Sequence, residues 1–174
     1  MVIPPRIAAV GVLLAVAACS PTLDWRQVRS DESGLVAMFP CKPQRYARQV
    51  PLASTTVDLR LASCTANETT YAIAYASVAQ PGQVSAAVEE LRRAAAANIG
   101  APAVTGTAWS VRGMTPNPLA EKLVMDGHDA KGQAVREQAV FFVKGLRVYQ
   151  ATMVGPVLDA EAADTFFSGL KLTS

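Results

Sequence analysis

Histidine occurs once in this 174-residue chain, and cysteine three times. One imidazole leaves little for a Ser-His triad, and serines such as Ser77 and Ser110 have no histidine near them in sequence. Structural zinc takes four nitrogen or thiolate ligands. Here His128 would have to join cysteines from distant parts of the chain. Charge is scarce too. The formal net value is +2, too close to neutral to point to a nucleic-acid partner. There is no internal repeat. What is present is apolar: 51% of residues are hydrophobic, which argues against disorder. About 150 residues remain for a domain, enough for one real core.

The three cysteines are Cys19, Cys41 and Cys64, an odd number that asks one of them to do a separate job. Ile7–Ala18 is an apolar run preceded by Arg6. As a helix it would span ~18 Å, short of a hydrocarbon core of ~30 Å. It reads as the h-region of a signal peptide. Val16, Ala17, Ala18 and Cys19 then resemble a bacterial lipobox. The resemblance implies cleavage before Cys19, a diacylglyceryl group on its sulfur and N-acylation. Several acyl chains anchor a protein durably, at ~0.8 kcal/mol per buried CH₂. Ser20 follows where aspartate would favour the inner membrane, so the resemblance points to the outer one. The expected organisation is a signal peptide over 1–18, a lipidated tether over 19–23 and one domain over 24–174.

Strand signals open that domain. Asp24–Val28 and Leu35–Phe39 flank a polar turn ending in Gly34. Arg45–Val50 alternates moderately. Val57, Leu59 and Leu61 alternate cleanly with Asp58 and Arg60, and Tyr71, Ile73 and Tyr75 line one face of Thr69–Val78. The period then changes. Val84, Val88, Leu91, Ala95 and Ile99 recur at three- and four-residue steps, which predicts an amphipathic helix ended by Gly100. Thr105–Val111 and Ala120–Gly127 are further strand candidates. Ala134–Val143 and Leu146–Val154 predict a hairpin turning at Lys144–Gly145. Asp159 reads as the N-cap of a last helix docked by Phe166 and Phe167. This order is an α+β pattern, mainly antiparallel sheet with one long and one short C-terminal helix on its faces.

The opening hairpin, with Trp25, Gly34, Phe39, Pro40 and Pro43, resembles that of PsbP-like domains. So does the ending from Phe166 through Ser168 to Leu172. The resemblance implies an α/β/α sandwich and a binding or assembly role. It carries no catalytic residue across, and fold likeness alone says little about function.

With Cys19 set aside, Cys41 and Cys64 remain. A hairpin with its tip at Leu52–Ala53 sets Tyr46 opposite Leu59 and Cys41 opposite Cys64. Opposed Cα atoms lie ~4.5–5.5 Å apart, within disulfide reach. The same register sets Arg45 against Arg60, which a small slip or a bulge near Pro43 would relieve. An oxidising compartment favours the bond. Closing about 24 residues would contribute about 3 kcal/mol. Free thiols, redox chemistry and metal binding stay open, although no Cys-x-x-Cys opens a predicted helix.

Three other groups stand out. Asp126, His128 and Asp129 suit a cation or acid–base work, or simply a solvated turn. Lys42, Arg45 and Arg48 around Tyr46 are candidate contacts to an anionic surface, or the charged guard of an edge strand. Trp25, Trp109, Phe141, Phe142 and Tyr149 would line a ligand cavity or fill the core. The expectation is a lipid-anchored envelope protein facing the periplasm, with no enzymatic role, metal or cofactor. Its partners would be the membrane through Cys19 and an envelope protein, with no nucleic acid. The alternatives are a small-molecule or lipid-binding module with an apolar pocket between sheet and helix, and a hydrolase or redox enzyme with poor residues for the task.

Overall fold

The computed structural model describes residues 23–102 and 106–173. The expected signal peptide, Cys19 and most of the expected tether lie outside the described residues. Ten strands and two helices follow in the order β1 (Arg26–Ser30), β2 (Leu35–Phe39), β3 (Gln44–Leu52), β4 (Thr55–Ala66), β5 (Thr69–Ser77), α1 (Val84–Asn98), β6 (Thr107–Ala108), β7 (Glu121–His128), β8 (Ala134–Lys144), β9 (Arg147–Gly155), α2 (Ala160–Ser168) and β10 (Lys171–Leu172). A seven-stranded antiparallel sheet runs β3-β4-β5-β9-β8-β7-β6, and a small sheet runs β1-β2-β10. The α+β class is therefore observed, in one domain. No described helix is long and apolar enough to cross a membrane.

The hairpins follow from their turn residues. At the β4–β5 tip, Asn67 and Glu68 have φ of 48° and 58°, and at the β3–β4 tip, Ala53 and Ser54 have 49° and 63°. Two left-handed residues in a two-residue loop match the right-handed twist of the strands. Alanine and serine are costly there. The β3–β4 tip is held from outside: the Ala53 amide donates to Glu90 Oε2 (2.9 Å), and Gln83 donates to the Ala53 carbonyl (3.3 Å). This fixes the tip at Ala53–Ser54, not Leu52–Ala53. Every pairing is thus displaced by two residues from the expected register. Tyr46 meets Leu61, and Arg45 meets Ala62 instead of Arg60. A two-residue slip keeps each side chain on its expected face. The β8–β9 turn is likewise displaced by one residue. Lys144 pairs with Arg147, and Gly145 leads the loop at φ 57°, a position that favours glycine.

While β3 is exposed from Gln44 to Gln49, the central strands of the large sheet are covered on both faces. α1 lies on one, and its expected row of Val84, Val88, Leu91, Ala95 and Ile99 is buried there against Phe141, Met125 and Val148. Gly127 lets β7 pass the end of α1, because a Cβ would sit 2.0 Å from the Ile99 carbonyl oxygen. The adjacent His128 amide donates to that oxygen (2.7 Å). α2 and the β1–β2 hairpin share the opposite face. The Asp159 carboxylate caps α2 by accepting from the Ala162 amide (2.7 Å). Phe166 then packs edge-on to Phe39 (5.7 Å) and Tyr71 (5.4 Å). Of the strand expected over Thr105–Val111, only Thr107–Ala108 pairs with β7. Thr105 lies outside the described residues.

Candidate functional site

The β1–β2 hairpin does not seal the face it covers. Side chains of paired residues share a face, so Val28, Leu35, Ala37 and Phe39 point from the small sheet toward the large one. Arg45, Ala47, Arg60, Ala62, Ile73 and Tyr75 face them from β3, β4 and β5. Between the two sheets lies a groove of about 490 Å³. Its floor is apolar and its rim carries Arg45, Arg60, Asp31 and Glu32.

Both ends of the groove are tied. At one end, Cys41 and Cys64 form a disulfide with a Cα–Cα distance of 6.0 Å. Cys41 precedes β3, in the link from β2. The bond was expected to cross one hairpin; it joins the small sheet to the large one. At the other end, Glu32 in the β1–β2 turn pairs with Arg60 on β4 and accepts from the Tyr75 hydroxyl (3.2 Å). Beneath that turn, the buried Tyr149 hydroxyl donates to the Ser33 carbonyl (2.6 Å). Burial pushes the Tyr149 hydroxyl above its ordinary pKa, and Arg147 partly offsets this. The turn is thus fixed from inside by a neutral phenol and from outside by an exposed ion pair.

The expected basic group is divided. Arg45 sits on the groove face of β3, whereas Tyr46 and Arg48 sit on the α1 face. Lys42 lies in the link before β3. All three cations are exposed, and none pairs with a carboxylate among the described residues. They flank an edge strand on both faces and do not make one patch. The alternation that separates Arg45 from Arg48 was readable in the sequence.

Of the expected turn cluster, Asp126 and His128 are exposed residues at the end of β7, and only Asp129 lies in the turn that follows. Arg136 donates to both Asp126 oxygens (2.7 and 2.9 Å), and this hydrogen-bonded pair holds the carboxyl below its ordinary pKa. Asp129 Oδ1 accepts from the Lys131 and Gln133 amides (2.8 and 2.9 Å). An open recess beside it is lined by Asp126, His128, Arg136 and Val157, so the Asp126–Arg136 pair forms part of its wall. Among the described residues, no three His, Cys, Asp or Glu side chains group to hold a metal. The five aromatics also separate. Phe141 is buried under α1, while Phe142 and Tyr149 stack at 4.9 Å on the opposite face. Trp25 and Trp109 are half-buried at the edges of that second core.

The recess beside His128 and Arg136 is larger, at about 580 Å³, but the groove between the two sheets has the longer apolar lining, with Leu35, Ala37, Phe39, Leu61, Ala62 and Ile73. The crevice between α1 and the sheet, lined by Glu89, Arg92, Arg93 and Leu123, is smaller at about 320 Å³ and bears charge. Sequence reasoning also passed over Glu137. It alternates with Val135, Ala139, Phe141 and Val143 in an apolar row, and that row was the available signal. It is 4% exposed, and burial pushes its carboxyl up to about 7. It lies on the α1 face, away from the groove. No family model and no curated protein matches this chain.

Proposed function

We propose that this protein is a lipid-anchored component of the bacterial cell envelope, held by an acylated Cys19 and facing the periplasm from the outer membrane. Its domain, PsbP-like in character, serves as a non-enzymatic binding or assembly factor, and the groove between the two sheets is the docking site. The groove is the observation that carries this reading. It is apolar on its floor and charged on its rim, and the β1–β2 cover is tied to β4 by a disulfide and an ion pair. Recognition sites combine such a floor with a few placed polar groups. The Cys41–Cys64 bond fits an oxidising compartment. Asp126 and Asp129 are engaged by Arg136 and by turn amides, and Glu137, whose carboxyl is raised to about 7, is buried on the α1 face away from the groove, which supports binding over catalysis there.

Two experiments test the reading. Mass spectrometry of the protein from its native envelope should find a lipid-modified Cys19 at the N-terminus; an intact leader would remove the anchor. A photo-crosslinking residue placed at Ala47, on the groove mouth, should give adducts in living cells. The same residue at exposed Glu161 on α2 should not. Equal labelling at both positions, or none at either, would remove the groove as the site. The apolar floor also favours a second reading, a small apolar or lipid ligand, which the same adducts would report as a low-mass product.

A further inference from the structure

The groove opens sideways between two strand edges. β3 ends the large sheet and β1 ends the small one, so among the described residues each has one side without a partner strand. β3 runs nine residues, Gln44–Leu52, and is exposed from Gln44 to Gln49. A free edge of this length is a template for an added strand. From Cys41 to Val57 the chain has three cations, Lys42, Arg45 and Arg48, and no acidic residue. That charge hinders pairing with a second copy of the same edge. It favours an acidic strand instead.

We propose that the β3 edge accepts an extended, acidic segment of a partner protein by strand addition. This deepens the groove reading and rests on it. Directly opposed residues of paired strands share a face. Arg45 lies on the groove face and Arg48 on the other, so the incoming segment needs acids on both faces, three residues apart. Ala47 lies between them on the groove side and is small and exposed. An apolar side chain opposite Ala47 enters the groove in the row of the Arg60 stem and the Tyr75 ring, beside the row of Ala62 and Ile73. The preferred segment therefore reads acid–apolar–any–acid when antiparallel to β3, and acid–any–apolar–acid when parallel.

The test uses the full chain in detergent and a labelled ten-residue peptide, alternating Val and Thr, with Glu-Val-Thr-Glu at its centre. Fluorescence anisotropy should show saturable binding, and a Lys-Val-Thr-Lys peptide should not bind. Arg45→Glu with Arg48→Glu should weaken the acidic peptide roughly tenfold or more, because each reversal turns an attractive cross-strand pair into a repulsive one. Both side chains are exposed on an edge, so the fold survives the change. Bound peptide should also slow hydrogen exchange of β3 amides and leave β7 unchanged. Equal binding of both peptides would overturn the proposal, as would binding without β3 protection. So would arginine-dependent binding to phosphatidylglycerol vesicles with no peptide binding, which would make the edge a lipid contact. If Ala47 still crosslinks in cells while the peptide fails, strand addition falls and the groove reading stands.

Discussion

The two faces of the large sheet are covered in different ways. On one, a single amphipathic helix supplies a continuous row, and Ala87 and Ala95, at 0% and 1% exposed, let α1 approach closely. That cover is local in sequence and needs no cross-link. On the other face the cover is composite: α2 from the C-terminus, and the β1–β2 hairpin from the opposite end of the chain. The hairpin meets α2 at Phe39 and Phe166 but overhangs β3, β4 and β5 without sealing them, and the groove lies under that overhang. The ties across it, Cys41–Cys64, Glu32–Arg60 and Tyr149–Ser33, all belong to the composite side. The difference teaches that a face covered by distant segments needs explicit fasteners, and that the space between them is free for use.

The largest effect should come from the aromatic joint where the composite pieces meet. Phe166 is 0% exposed and touches Phe39, Tyr71 and Phe167. Phe166→Ala should cost about 3–5 kcal/mol, whereas Leu91→Ala on the helix-covered face should cost about 2–3 kcal/mol. Denaturant unfolding of both variants compares the two faces directly. A larger loss at Leu91 would reverse the comparison.

Next is the disulfide. Replacing both Cys41 and Cys64 with alanine reopens a loop with a sequence separation of 23. The chain-entropy cost is about 3 kcal/mol. Because the bond joins the two sheets, the loss should be accompanied by faster hydrogen exchange in β1 and β2 and little change in α1. Uniform acceleration would mean that the staple serves the whole domain and not the composite face.

Much of this arrangement was legible in the sequence, and the exceptions share a cause. Periodicity located α1, α2 and the long strands, because side-chain rows repeat locally. The cysteine pair was found although its assumed register was displaced by two residues. The displacement came from Glu90 and Gln83, which hold Ala53 in a strained turn from far along the chain. The groove could not be read, because it depends on where the β1–β2 hairpin lies over β4. No local pattern encodes that placement; Glu32 meets Arg60 and Tyr75 only after folding. Arg45, Arg48 and Glu137 were different. Simple alternation assigned their faces, and the signal was present to be used.

Glu137 sharpens the comparison from the better-sealed side. Its carboxyl is pushed from the ordinary 4.5 up to about 7 by burial. Between these values the folded chain keeps the proton and the unfolded chain releases it. Stability should therefore fall as pH rises from about 4.5 to about 7, by about 3 kcal/mol, and stay level above that. Glu137→Gln should flatten this window and stabilise the protein at pH 8. Unfolding free energies across pH 4.5–8 would show the slope; a wild-type curve that rises through the window would have the sign wrong.

The smallest effect separates the two ties on the β1–β2 turn. Tyr149→Phe leaves the buried Ser33 carbonyl without its donor, and an unsatisfied buried acceptor costs about 1–2 kcal/mol. Glu32→Gln breaks an ion pair whose partners are 64% and 44% exposed, where solvent screening leaves about 0.5 kcal/mol. Exchange of the Asp31–Ser33 amides should follow the same ranking. If Glu32→Gln loosens the turn more than Tyr149→Phe, the hairpin is held from its solvent side. The exposed ion pair, and not the buried phenol, would then be the hinge that controls the width of the groove.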